Sequence, residues 1–207
     1  MDYIDIQLPV STGCNLQLPD PFLLSWYEQA ENRTLWIDKE ITEDCIEVAK
    51  KIMRWNFEDN DHAIPAEKRT PIRIMLASPG GELYTMLAIM DAIILSKTPV
   101  YTCAVSLAAS AACALLIAGH KRFAFPHANG MWHSGSAGLS GSMEQVQSAT
   151  KHLDGVESQM QELFLSKTKV DVKKLKRMKD KDWYFTADEM LENGLVDQIV
   201  KDVNEIL

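Results

Sequence analysis

Residues 72–118 decide the fold, and they read IRIMLASPGGELYTMLAIMDAIILSKTPVYTCAVSLAASAACALLIA. An apolar strand at 72–76 ends in a Ser-Pro-Gly-Gly turn, after which apolar residues recur at helical spacing over 83–94. A second apolar strand at 100–105 leads through small residues into a helix at 110–118. Strands that alternate with helices at this spacing predict parallel βαβ units with right-handed crossovers.

The segments on either side extend this pattern. Upstream we predict a strand at 34–37, a helix at 42–55 with Thr42 as N-cap, and a polar loop at 57–70 that resembles an insertion. Residues 1–32 read as an N-terminal arm or gate with a short alternating strand and a first helix at 21–29. We therefore divide the chain into this arm at 1–32 and a main domain at 33–207.

Downstream, short strands at 122–125 and 130–133 precede a Gly/Ser-rich stretch and a long helix at 143–168. Apolar residues of this helix repeat in alternating steps of three and four, at Val146, Ala149, Leu153, Val156, Met160 and Leu163. This heptad seam is narrower than the stripe of an ordinary core-facing helix. The pattern leaves two interpretations open: a helix that lies on its own sheet, or one that projects and packs against a partner subunit.

Composition narrows the function classes. The 207 residues carry a formal charge of −8 with 46% hydrophobic and 24% charged residues, which predicts one ordinary globular domain and disfavours nucleic acid as main partner. The longest apolar stretch, 107–119, is too short for a bilayer, which needs about 20 residues. The four cysteines lack a CxxC spacing, so we expect no disulfide, no metal and a cytoplasmic location.

Two glycine- and serine-containing turns are candidate sites. Ser110 stands where a strand turns into a helix among small residues, as in a nucleophile elbow, although serine is also a favoured helix N-cap. Gly80-Gly81 at the earlier turn lets backbone N–H groups approach a ligand. An oxyanion-hole donor and a phosphate or CoA-pyrophosphate site both fit that turn, but no nucleotide-binding motif is present.

His133 and Asp182 are two further candidate site residues, and each is a weak candidate when taken alone. His133 ends the strand Met-Trp-His, and Asp182 directly precedes Trp-Tyr-Phe, where it could be held partly buried. A histidine at a strand end is commonly structural, and an aspartate in a Lys-rich segment is commonly a surface carboxylate. A buried aspartate that orients a histidine base is the alternative role.

Four motifs of this chain, in this order, resemble the motifs of the Clp proteolytic-subunit (ClpP) family, peptidase family S14. They are Ser-Pro-Gly-Gly (78–81), Ala-Ala-Ser (108–110), Met-Trp-His (131–133) and Asp-Trp-Tyr-Phe-Thr-Ala-Asp-Glu (182–189). The resemblance covers residues 33–200. It implies an α/β fold of the ClpP/crotonase type, a spiral of ββα units with a projecting handle helix. It also implies a serine endopeptidase with Ser110 as nucleophile, His133 as base and Asp182 as orienting acid.

The same resemblance implies the assembly and the chemistry. The Gly81 and Ala111 N–H groups would form the oxyanion hole, and no cofactor would be needed. Heptameric rings, joined as a tetradecamer through the handle helix, would hydrolyse polypeptides inside a chamber fed by an AAA+ unfoldase. Three departures from the family's sequence pattern indicate a divergent member, such as a phage-encoded or accessory paralogue. They are the Ser-Gly-Ser-Ala-Gly segment after His133, Lys181 in place of an arginine, and residues 1–32, which do not match.

The sequence leaves three alternative functions to consider. A crotonase-type acyl-CoA enzyme shares the architecture but needs no Ser-His-Asp triad. A non-catalytic subunit of a mixed ring would typically lack a triad residue, and all three are present. A Ser/Lys peptidase related to signal-peptide peptidases would need a lysine base and a membrane anchor, and the sequence shows no anchor.

Overall fold

The computed structural model describes residues 27–28, 31–179 and 181–206. Its contacts divide the chain into Met1–Asn32 and Arg33–Leu207. In the first unit, the Asn32 amide donates a hydrogen bond to the Glu28 carbonyl, at 3.2 Å. The alternating strand predicted in the N-terminal arm, and nearly all of the helix predicted at 21–29, lie outside the described residues. The role given to this arm stays a prediction.

A mostly parallel sheet forms the centre of the second unit. The described strands are β1 Thr34–Ile37, β2 Ile72–Ser78, β3 Val100–Ala109, β4 Lys121–Ala124, β5 Asn129–Trp132, β6 Trp183–Thr186 and β7 Gln198–Ile199. Strands β1 to β4 and β7 follow one another in the order β1-β2-β3-β4-β7, all parallel. Strand β5 pairs parallel with β3, and β6 pairs antiparallel with β5. The predicted parallel βαβ architecture is confirmed.

Helices supply the remaining layers and about half of the buried hydrophobic residues in the described part of the chain. They are α1 Ile46–Asp61, α2 Leu83–Leu95, α3 Ala111–Ala118, α4 Met143–Lys167, α5 Val172–Met178 and α6 Ala187–Glu192, with short 3₁₀ turns at Glu43–Cys45, Ala66–Lys68 and Val203–Glu205. Every residue of α3 is buried, as expected for a helix that is apolar on all sides. This central helix packs against α2 and β3.

Three local predictions were wrong. Helix α1 continues to Asp61, so the first part of the loop expected at 57–70 is helical. Strand β3 continues to Ala109 instead of ending at 105, because its second half gains β5 as a partner. Thr42 stands at the N-cap of the 3₁₀ turn before α1, but its hydroxyl hydrogen-bonds the Asp44 carboxylate instead of capping a backbone N–H.

Helix α4 lies only partly on the core. Its buried residues, Met160 and Phe164, are in its second half, whereas seam residues such as Val146 and Ala149 are only half-buried. The first half of the helix therefore projects from the packed core, as the fold class implies. The N-terminus of α4 is stabilised by a capping box formed by Ser142 and Gln145.

The extra turns of α1 are explained by a buried ion pair. Asp59 is 1% exposed and accepts two hydrogen bonds from the Arg33 guanidinium, at 2.7 and 2.8 Å. The Thr98 hydroxyl donates a third, at 2.6 Å. The Arg33 hydrogen bonds hold the pKa of Asp59 below its usual 3.8. The carboxylate thus ties the end of α1 to the starts of β1 and β3.

We expect Asp59→Ala to lower the free energy of unfolding by about 3 kcal/mol at pH 7, because Arg33 loses its partner. A carboxyl whose pKa is depressed by folding stabilises the native state above its unfolded pKa and loses that contribution as pH falls through its folded pKa. The difference between wild type and variant should therefore shrink as urea unfolding is repeated below pH 4. Asp44→Ala, which removes an exposed pair with Lys39, is the control and should change stability little. An equal effect of both substitutions would contradict the assignment.

Candidate active site

Ser110 occupies a strained turn between β3 and α3. Its φ of 53° and ψ of −120° lie where non-glycine residues are rarely found, and such strain is typical of functional turns. Its amide donates to the Met131 carbonyl at 2.8 Å. The hydroxyl makes no capping hydrogen bond, so the alternative interpretation of Ser110 as a helix cap is not supported.

His133 reaches the serine because β5 lies beside β3. The register pairs Ala109 with Met131, so the residues that follow each strand emerge next to one another. The His133 Nε2 lies 2.7 Å from the Ser110 Oγ, within the range of a hydrogen bond. A histidine in this position can take the hydroxyl proton.

Asp182 is placed by the next pair of strands. In the antiparallel ladder Trp132 is opposite Trp183, which sets His133 opposite Asp182 just beyond the ends of β5 and β6. The Asp182 Oδ1 lies 3.3 Å from the His133 Nδ1, somewhat longer than a strong charge-assisted hydrogen bond. The Asp182 side chain is 57% exposed, so the expectation that it is partly buried was too strong.

The Gly80-Gly81 turn touches the serine directly. A Cβ on Gly80 would come within 2.7 Å of the Ser110 Cβ, and both glycines have positive φ, 102° and 146°. Ile41 pairs with Gly81 in a parallel bridge, using the Gly80 carbonyl and the Glu82 amide. The Gly81 N–H therefore points away from Ile41. Sequence reasoning missed Ile41, because a bridge between residues 40 positions apart leaves no local signal.

Other contacts fix the ends of these segments. The Glu82 carboxylate caps α2 by accepting from the Tyr84 and Thr85 amides, at 2.9 and 2.6 Å. The Ser134 hydroxyl donates to the Lys179 carbonyl at 2.9 Å, which links the segment after His133 to the segment before Asp182. Neither contact was predicted.

An aromatic cluster supports the strands that carry His133 and Asp182. The ring of Phe164, on α4, lies 4.2 Å from Trp132 and 6.5 Å from Trp183, centroid to centroid. Trp183 in turn lies 4.4 Å from Phe185. Since Trp132 precedes His133 and Trp183 follows Asp182, this aromatic cluster packs next to both polar residues.

A cavity of about 1110 Å³ opens beside the serine, and Gly81, Ala111 and His133 line it. Its apolar lining includes Met86, Ala114, Trp132, Val156 and Met160. Nearby Cys113 is fully buried, and burial raises its thiol pKa to about 12, so it is not a nucleophile at neutral pH. Within the described ranges there is no group of acidic, His and Cys side chains suited to a metal ion, and no helix capable of crossing a membrane.

A serine in contact with a histidine at a strand–helix turn, beside an open cavity, is typical of a serine-type hydrolase. Comparison with known proteins gives the family. The family model described as Clp protease matches residues 27–203, and the chain belongs to this family of peptidases.

Curated relatives agree with this assignment. The chain is 34% identical over 138 residues to the ATP-dependent Clp protease proteolytic subunit 2 of Treponema denticola, covering 66% of this chain and 69% of the relative. It is 33% identical over 136 residues to the ATP-dependent Clp protease proteolytic subunit of Deinococcus radiodurans, covering 65% and 67%. For proteolytic subunit 3 of Rhodococcus jostii the identity is 34% over 143 residues, covering 68% and 71%.

Proposed function

We propose that this chain is a proteolytic subunit that cleaves polypeptides with Ser110 as nucleophile, His133 as general base and Asp182 as the residue that orients the base. The observation that carries the proposal is the 2.7 Å contact between the Ser110 Oγ and the His133 Nε2. Membership of a peptidase family and the cavity beside this contact support it.

The proposed reaction has two steps. The Ser110 Oγ attacks the carbonyl carbon of the scissile peptide bond while its proton passes to the His133 Nε2. The imidazolium then gives that proton to the leaving amine, and the C–N bond breaks to leave an acyl ester on Ser110. Water then attacks the ester while His133 takes its proton; the bond between the acyl carbon and the Ser110 Oγ breaks, and the imidazolium returns the proton to Oγ, which restores the serine and releases the acid.

Three groups would stabilise the charges that develop. The N–H groups of Gly81 and Ala111 would donate to the oxyanion of the tetrahedral intermediate. The Gly81 N–H faces away from Ile41, and Ala111 begins α3, whose N-terminus favours negative charge. The Asp182 carboxylate would accept from the Nδ1–H of His133 and stabilise the imidazolium.

Labelling with a fluorophosphonate probe tests the nucleophile. We expect one adduct, located on Ser110 by peptide mapping, because the probe reacts only with a serine whose proton is accepted by a neighbouring base. Pre-treatment with the probe should abolish hydrolysis of a peptide substrate. An assembled particle that carries no adduct would contradict the proposal and favour a non-catalytic subunit of a mixed ring.

We also propose that the subunit works in heptameric rings, paired through α4 into a tetradecamer and supplied by an AAA+ unfoldase. The projecting first half of α4 supports the contact between rings, and the relatives' names describe proteolytic subunits of ATP-dependent proteases. The proposed compartment is the cytoplasm, in keeping with the unpaired thiols of Cys45, Cys103 and Cys113.

Light scattering at micromolar concentration tests the assembly. We expect a mass many times that of the 23.3 kDa chain, because the seam of α4 leaves apolar side chains only half-buried in one subunit. Substitution of a seam residue by a charged one, as in Val146→Glu, should reduce that mass, whereas Glu144→Gln on the same helix should not. A monomeric wild-type protein would contradict the ring proposal.

A further inference from the structure

The cavity beside Ser110 carries a strong negative charge. Its lining residues come from the segment before α1, the start of α2, the segment at 132–137 and the middle of α4, among others. Six of them carry carboxylate side chains: Glu40, Glu43, Asp44, Glu82, Asp154 and Glu157. Among the described lining residues, Lys179 is the one lysine or arginine.

Two of the six carboxylates are already occupied. Asp44 pairs with Lys39 and Thr42, and Glu82 caps α2, so both keep pKa values below their usual range and stay ionised. Both carboxylates contribute negative charge to the cavity lining, but they already accept hydrogen bonds from other groups of this chain.

The carboxylates on α4 have no positive partner in the part of the chain that the structure describes. Glu157 is partly buried and accepts a hydrogen bond from the neutral Gln161 amide at 2.8 Å, which fixes it without cancelling its charge. Asp154 lies one turn earlier on the same side of the helix and is exposed. Both carboxylates line the cavity, which they share with Lys179, and are therefore available to a cationic group bound there.

The cavity also offers apolar surface. Met86, Ala114, Trp132 and Met160 are buried residues that line it. A bound peptide strand presents side chains to both kinds of surface, because successive side chains point to opposite sides. An apolar side chain would pack on the buried residues while a neighbouring cationic one meets the carboxylates, whose field is strengthened inside a cleft of low dielectric.

We infer that the active-site cavity selects polypeptide segments with lysine or arginine close to the scissile bond, and that Glu157 and Asp154 are the specificity-determining residues. This inference rests on the proposed function, since it places the scissile bond at Ser110. Acidic segments are disfavoured by the same charges.

Cleavage of matched peptides tests the inference. Three fluorogenic peptides share one sequence and differ at a single position next to the cleaved bond, which is lysine, glutamine or glutamate. We expect kcat/KM to fall in that order, with lysine about tenfold above glutamate, since each partly exposed ion pair contributes a few-fold. The ratio should decrease at high salt because the charges are screened.

Variants assign the effect to α4. Glu157→Gln combined with Asp154→Asn should lower the lysine-to-glutamate ratio several-fold. The control is Glu162→Gln, an exposed glutamate of the same helix outside the cavity, which should leave the ratio unchanged. Equal kcat/KM for the three peptides, or a ratio that Glu162→Gln alters as much as the double variant, would overturn the inference.

Binding separates this inference from the proposed chemistry. Fluorescence anisotropy of the same peptides with Ser110→Ala measures charge preference without cleavage. Tighter binding of the lysine peptide supports the inference if it is lost in the triple variant that combines Ser110→Ala, Glu157→Gln and Asp154→Asn. That support holds even if the wild-type protein hydrolyses none of the peptides. Such a lack of hydrolysis would count against the proposed function alone. Equal binding of the three peptides overturns the inference while leaving hydrolysis at Ser110 intact.

Discussion

Ser110→Ala is expected to reduce kcat for peptide hydrolysis by about 10⁴-fold or more, because the nucleophile is removed and only binding and oxyanion stabilisation remain. The fold should survive. The Ser110 hydroxyl caps no backbone group of α3, and alanine removes only that hydroxyl. Hydrolysis of a fluorogenic peptide by the purified variant measures the first effect, and thermal unfolding with light scattering measures the second.

The matched control for this substitution is Ser106→Ala. Ser106 is an exposed serine of β3, four residues before Ser110, and its loss should leave activity close to wild type. Full activity in Ser110→Ala would show that another residue is the nucleophile. Loss of folding or assembly would give Ser110 a structural role instead.

Phe164→Ala is expected to cost about 3–5 kcal/mol of unfolding free energy, the range for deletion of a fully buried aromatic ring. The cavity left behind would lie against Trp132 and Trp183, the residues adjacent to His133 and Asp182. We therefore expect activity to fall as well, since the strand ends that carry the base and the acid lose their support. Urea unfolding and peptide hydrolysis measure the two effects.

Phe57→Ala provides the comparison for Phe164→Ala. Phe57 is 63% exposed on α1, so its truncation should change stability by no more than about 0.5 kcal/mol. A small effect of Phe164→Ala, or equal effects of the two substitutions, would show that the aromatic cluster does not hold the second half of α4 on the sheet.

Much of the fold could be predicted from local pattern. The apolar runs and their periodicities located β1, β2, α2, α3 and α4 within a few residues. The errors arose where tertiary contacts determine an end. Helix α1 passes its expected end because the buried Asp59 finds Arg33 and Thr98. Strand β3 passes its expected end because β5 extends the sheet beside it. Neither partner is near in sequence.

The sequence indicated which residues are candidates for the site, but it did not predict their geometry. Ser110, His133 and Asp182 were singled out because their motifs occur in the order of a known family, and the structure brings all three together. The exposure of Asp182 could not be read from the apolar residues that follow it, because Trp183 and Phe185 pack inward while the strand end faces solvent. The bridge from Ile41 to Gly81 depends on the same kind of distant contact.

The strand pairing around β5 divides the three candidate residues between two parts of the sheet. His133 directly follows β5 and Asp182 directly precedes β6, the two strands of one antiparallel ribbon, whereas Ser110 directly follows β3. The candidate base and acid thus stand at the ends of one pair of strands and the nucleophile at the end of another, and three pairs of residues join the two along the β3–β5 edge. A sliding of the ribbon along that edge would separate the serine from the histidine while the histidine kept its aspartate, so one of the two contacts among the candidate residues would survive it.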